Sequence, residues 1–137
     1  MRLAADEPGR PALRYHGGKW QIGAWIAAHL PPHRVYVESF GGGGSVLLRK
    51  PRSCAEIYND LDGEIVNLFR VARDDGERLA QACELTPFAR DEFELAYVSH
   101  SDRLEQARRT VARSFMGFGS AGASGQSTGF RAKSNRR

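Results

Sequence analysis

The sequence predicts an α/β fold in which a parallel βαβ unit is followed by a helical segment. Two short β-rich runs flank a run of four glycines in the first half. Apolar residues at helical spacing dominate the second half. The 137 residues, 41% hydrophobic and 26% charged, suit one soluble domain with a modest core.

Residues 1–13 are rich in proline and charge and read as a flexible N-terminus. A helix is expected from Lys19 to Leu30, where Ile22, Trp25, Ile26 and Leu30 share a face and Pro31-Pro32 stops it. Val35 to Phe40 reads as a strand, and Gly41 to Gly44 follow directly. Ser45 to Leu48 suit the first turn or two of a crossover helix. Ala55 to Tyr58 read as a second strand, ending at Asn59-Asp60. Ile65, Leu68, Phe69 and Ala72 give a helical face over residues 62–73, with Asp62 as its cap. Strand, loop, helix, strand and helix in that order predict parallel strands joined by a right-handed crossover.

In the second half a helix is expected from Glu77 to Leu85. Thr86-Pro87 reads as the start of another, with proline at the first helical position. Asp102 and Glu105 have capping-box spacing for a helix running to about Phe115. Leu104, Val111 and Phe115 are the expected buried stripe of that helix, and Arg103, Arg108, Arg109 and Arg113 its basic face. From Gly117 to Gly129 the chain is loop-like, with Phe118, Phe130 and Arg131 as its large side chains. The expected parts are therefore 1–13, 14–73 (βαβ), 74–116 (helical) and 117–137 (basic loop and tail).

No run approaches the roughly 20 apolar residues of a membrane helix. Met1 to Asp6 meets charge before any apolar stretch, unlike a secretory signal. Cys54 and Cys83 lie 83 − 54 = 29 positions apart, which is neither a disulfide framework nor a zinc spacing. A cytoplasmic protein with reduced thiols is expected, and no metal site. Residues 1–102 carry 12 Lys/Arg and 15 Asp/Glu, a net of −3; residues 103–137 carry 8 Lys/Arg against Glu105, a net of +7. Such a basic end suits a polyanion, most often nucleic acid, although a solvated tail has the same composition.

The glycine run carries the first chemical signal. Glycines between a strand and a helix let the backbone approach a ligand closely. Asp60 follows Gly41 by 60 − 41 = 19 residues, at the end of the second strand. A carboxylate there can accept the hydroxyl hydrogens of a ribose, as in nucleotide-type cofactor sites. Gly-Gly-Gly-Gly-Ser also matches a flexible linker, but a linker has no need of a strand and helix close on either side. The cluster Asp60 to Glu64 lacks the alternating oxygen ligands of a calcium loop.

Three motifs in order, Tyr15-His16-Gly17-Gly18-Lys19, Tyr36-Val37-Glu38-Ser39-Phe40-Gly41-Gly42-Gly43 and Tyr58-Asn59-Asp60-Leu61-Asp62, resemble the opening of Dam-like (α-type) adenine-N6 DNA methyltransferases. Ser39 stands where that family usually has proline, and Asp62 where it usually has asparagine. Arg113 to Phe118 and Thr128 to Arg131 are similar to a region of the phage-type members. The resemblance implies an incomplete Rossmann-like S-adenosylmethionine-dependent methyltransferase fold followed by a helical DNA-recognition segment. It implies S-adenosyl-L-methionine as cofactor, contacted by Tyr15 and Lys19, walled by Phe40, Gly41, Gly42 and Gly43, and held at its ribose by Asp60. Lys19 would meet the carboxylate of its methionine part.

The partner so implied is double-stranded DNA, with Arg109, Arg113, Arg131 and Lys133 as candidate DNA contacts. The family's Asp/Asn-Pro-Pro-Tyr/Phe tetrapeptide, which binds and stacks the flipped adenine, does not occur. The only Pro-Pro is Pro31-Pro32, between Leu30 and His33. No catalytic residue is assigned, and an N-terminal fragment is expected, with a second chain able in principle to carry the missing half. The alternative is a non-catalytic DNA- or S-adenosylmethionine-binding module. A dinucleotide-dependent enzyme fits less well, having no role for Tyr15 to Lys19.

Overall fold

The computed structural model describes residues 8–119 and 121–132. The chain forms two compact units. Among the described residues, one holds 8–12 and Gly17–Leu61; the other holds Leu13–His16, 62–119 and 121–132. The helix after Asp62 packs with the helices that follow it.

In the first unit, helix α1 (Trp20–Ala28) precedes strands β1 (Val35–Glu38) and β2 (Ala55–Tyr58). The strands pair in parallel, with Val35 opposite Ala55 and Glu38 opposite Tyr58. The expected crossover helix is absent: residues 45–50 form turns, with Leu48 N bonded to Gly44 O and Lys50 N to Val46 O, both at 2.9 Å. Ser45 and Val46 are buried within them. Helix α1 packs against this segment through Gly23, where an added Cβ would lie 3.1 Å from the Ser45 carbonyl oxygen. Arg49 clasps the start of α1, donating to Trp20 O at 2.7 Å with its guanidinium over the Trp20 ring. Ile22 and Trp25, on the face they were expected to share, are 50% and 64% exposed, since α1 turns its glycine side inward.

The second unit is helical. Helix α2 (Gly63–Glu84) starts at Asp62, whose side chain accepts from Glu64 N at 3.0 Å. The two helices expected over 62–73 and 77–85 are both present within α2 and meet at a kink at Asp75, whose backbone (φ −149°, ψ 43°) is not helical. Helix α3 (Arg90–Leu95) begins later than expected, because Thr86-Pro87 closes α2 instead. Thr86 Oγ1 donates back to Ala82 O at 2.7 Å, and Thr86 N to Cys83 O at 3.2 Å. Helix α4 (Arg103–Met116) starts at Asp102, which accepts from Glu105 N at 2.8 Å. The core gathers Ile65, Leu68, Val71 and Leu79 of α2, Phe93 of α3, and Ala107, Ala112 and Met116 of α4. Leu13 is buried too, and Arg14 N donates to Ser114 Oγ at 2.8 Å.

After α4 the chain makes a loop closed by a bridge between Gly117 and Phe130, with Phe118 N bonded to Gly129 O and Arg131 N to Met116 O. A 3-10 turn (Ala121–Ser124) lies within it. Phe130 packs against Phe93 and Phe88, with the Arg90 guanidinium over its ring.

Glu105 ties this unit together electrostatically. It accepts from Arg108 and Arg109, while Arg108 also reaches Glu92 and Thr86. The Arg108 hydrogen bonds, opposed by burial and joined by Arg109, lower the Glu105 carboxyl from 4.5 to about 2. A depressed carboxyl stabilises the fold above its ordinary titration range and loses that contribution as pH falls through its native value. Urea unfolding should therefore show stability falling between about pH 5 and pH 2, with a shallower fall in Glu105→Gln. Equal slopes would refute this role for Glu105.

Candidate cofactor-binding site

The glycine loop and Asp60 meet at the carboxyl ends of the two parallel strands. Gly42 N donates to Asp60 Oδ2 at 2.8 Å, Gly41 N to Asn59 O at 2.9 Å, and Asn59 N to Glu38 O at 2.8 Å. The ladder thus continues past β1 and β2 into the loop. Gly42 and Gly44 hold φ of +49° and +62°, where a side chain would be strained. The Gly42 bond fixes the direction of the Asp60 carboxylate.

Two residues that the sequence reading passed over build this arrangement. Tyr58 lies under the loop and donates from its hydroxyl to Gly42 O at 2.6 Å. Glu38 Oε1 accepts from Leu47 N and from the Tyr36 hydroxyl, both at 2.8 Å, which holds the turn after the loop onto β1. Glu38, a lone acid inside a β-rich run, was the available signal; Tyr58 had none beyond its place before Asn59-Asp60.

The other cofactor candidates are placed as follows. Gly41 is half-buried, and Gly42 and Gly43 are buried. Phe40, at the mouth of the loop, is 82% exposed. Lys19 caps α1, is exposed, and donates from Nζ to Gly17 O at 2.9 Å. Through Gly23 and Trp20, α1 brings Lys19 to the side of the segment that leaves the glycine loop. Tyr15 is half-buried and belongs to the helical unit.

The DNA candidates fare differently. Arg109 and Arg113 are buried, not on a basic face. Arg109 donates to Glu105 at 2.8 Å, and to Val98 O at 2.7 Å. Arg113 pairs with Glu64, donates to Ala96 O at 3.2 Å and lies over the Tyr97 ring. A long guanidinium can reach carboxylates and carbonyls of neighbouring elements, and that is where these two are spent. Leu104, Val111 and Phe115, the expected buried stripe, are only half-buried. Arg131 is half-buried beside the Gly117–Phe130 bridge. Lys133 lies outside the described residues. Among the described residues no helix is long and apolar enough to cross a membrane, and no group of three or more His, Cys, Asp or Glu is arranged for a metal.

A glycine loop facing an acid across the carboxyl ends of parallel strands is an arrangement found in α/β proteins that bind nucleotide-type cofactors. Residues 15–118 match the model of the D12 class N6 adenine-specific DNA methyltransferases, and the chain belongs to that family. It is 34% identical over 93 residues to the Type II methyltransferase M.MjaIII of Methanocaldococcus jannaschii, covering 61% of this chain and 31% of that protein. It is 30% identical over 106 residues to a DNA adenine methylase of Serratia marcescens, covering 74% of this chain and 39% of that one. The matched segment thus spans roughly a third of the length of these curated relatives.

Proposed function

We propose that this chain provides the cofactor-binding front of a site-specific DNA methyltransferase that moves a methyl group from S-adenosyl-L-methionine to adenine N6 in DNA. The observation that carries the reading is the Asp60 carboxylate bonded to Gly42 N at the carboxyl ends of β1 and β2. The residues present suit that cofactor: a loop whose Gly41 admits no Cβ, two glycines at positive φ, and a carboxylate aimed at the loop. Bound there, the cofactor would supply an electrophilic sulfonium methyl. Asp60 would accept from its ribose hydroxyls and Lys19 would offset its carboxylate. Phe40, Gly41, Gly42 and Gly43 would wall the pocket.

The Rossmann-like character rests on the parallel β1–β2 pair and the loop between them. For DNA, Arg131 and Lys133 remain as candidates for phosphate contact in double-stranded DNA. Arg109 and Arg113 leave that set. Family membership and a soluble-type composition favour the cytoplasm of a prokaryote or of a phage-infected host.

Isothermal titration calorimetry with S-adenosylmethionine tests the site. Asp60→Ala and Lys19→Ala should each weaken binding by about 2 kcal/mol, or roughly thirtyfold. Unchanged affinity in both would remove the assignment.

One observation favours a second reading, a non-catalytic DNA- or cofactor-binding module. The 137 residues contain no Asp/Asn-Pro-Pro-Tyr/Phe, so none of them is assigned to hold the adenine amino group. A further segment or a second chain would have to bring that chemistry. Radiolabelled methyl transfer to unmethylated DNA by these residues alone should be undetectable. Measurable turnover would place acceptors for the amino group among them.

A further inference from the structure

The amino ends of β1 and β2, opposite the glycine loop, gather a second set of reactive side chains. Ser53 Oγ lies 2.9 Å from His33 Nε2 and 2.8 Å from Lys50 Nζ. His33 Nδ1 lies 2.7 Å from Pro31 O. A carbonyl oxygen only accepts, so Nδ1 carries the proton and Nε2 presents its lone pair to Ser53. The Ser53 hydroxyl therefore donates to His33 while accepting from the Lys50 ammonium. A base waits for its proton, and a cation faces the charge that its loss would leave.

The lysine is held firmly in that place. Its side chain is fully buried, bonded also to Pro51 O at 2.9 Å and Glu56 Oε1 at 2.5 Å, and it lies over the Tyr36 ring. Ser53 N also donates to Glu56 Oε1, at 3.1 Å, which anchors the serine backbone. Ser53 is half-buried and His33 exposed, so a small electrophile can reach the pair.

We propose that Ser53 is a nucleophilic serine and a site of covalent acylation by activated esters, with His33 as its base. In the step, Ser53 Oγ forms a bond to the ester carbonyl carbon and its proton passes to His33 Nε2. The ester C–O bond breaks, the leaving oxygen departs with the bonding electrons, and acyl-Ser53 and an imidazolium remain.

The test uses the whole chain carrying Cys54→Ser, because Cys54 is an exposed neighbouring thiol that would compete. On addition of p-nitrophenyl acetate, a burst of p-nitrophenolate approaching one equivalent per chain is expected, with the acetyl group located on Ser53 by peptide mass spectrometry. Ser53→Ala should remove the burst. His33→Ala should slow Ser53 acetylation by about a hundredfold. Circular dichroism checks that each variant is folded; should Ser53→Ala not fold, the His33→Ala rate decides. Acetyl groups on lysines with Ser53 unlabelled, or Ser53 labelling at an unchanged rate in His33→Ala, would overturn the proposal.

Discussion

Arg113→Met is expected to lower the free energy of unfolding by about 3 kcal/mol, at the low end for breaking a buried ion pair. Arg113 lies on α4, 3% exposed, and its partner Glu64 sits in the first turn of α2. Methionine keeps most of the volume but removes the charge, so Glu64 is left beside Gln106 Nε2, its remaining donor at 3.0 Å. The Glu64 side chain is 33% exposed, and water there softens the loss. The bond to Ala96 O also disappears, which loosens α3 from α4. Arg78→Ala, which breaks an exposed pair with Asp75, should change stability by no more than about 0.5 kcal/mol. Urea midpoints measure both. If Arg113→Met kept the native midpoint yet lost DNA affinity, Arg113 would return to the DNA-contacting set and the packing role assigned to it would be wrong.

That contrast shows where the sequence was readable. The signals for β1, β2 and the loop are local. Valine, tyrosine and isoleucine runs make strands, glycines interrupt them, and the 19-residue step to Asp60 sets the carboxylate at the strand end. Asp62 and Asp102 as caps are equally local, since each needs only a backbone N–H two or three residues on. What the sequence did not disclose depends on partners far along the chain. The +7 excess of residues 103–137 looked like a polyanion surface. Yet Arg108 and Arg113 meet Glu92 and Glu64, acids counted in the other part of the chain.

The inverted face of α4 has the same origin. Its buried residues include the small Ala107, Thr110, Ala112 and Ser114. Small residues let backbones approach, and periodicity of large apolar residues does not report that. At Thr86-Pro87 two local rules competed. The preference of proline for a helix start lost to the Thr86 hydroxyl, which caps the end of α2. For the candidate site, Asp60 and the glycines were legible by spacing. Tyr58 was not, because its role exists only once the loop folds back over β2.

Gly41→Ala is expected to cost about 2 kcal/mol of stability, the scale of overpacking, and to weaken S-adenosylmethionine binding by at least about tenfold. A Cβ on residue 41 would lie 2.2 Å from Tyr58 Cε2 and 2.5 Å from Cδ2, well inside contact distance. The ring cannot simply swing aside, because its hydroxyl is bonded to Gly42 O. The loop cannot simply lift, because Gly41 N is bonded to Asn59 O. Any relief moves Gly42 N away from Asp60, and with it the direction of the carboxylate assigned to the ribose. The cause can be isolated with a double-mutant cycle. Tyr58→Ala alone should lose about 1 kcal/mol with its hydrogen bond. In that background Gly41→Ala should be nearly neutral, a coupling of about 1–2 kcal/mol. Urea unfolding gives the stabilities, and calorimetry the affinities. Additive losses would mean that residue 41 clashes with something other than Tyr58. A Gly41→Ala chain that bound the cofactor as tightly as the native one would mean that the close approach of loop and ring does not shape the site.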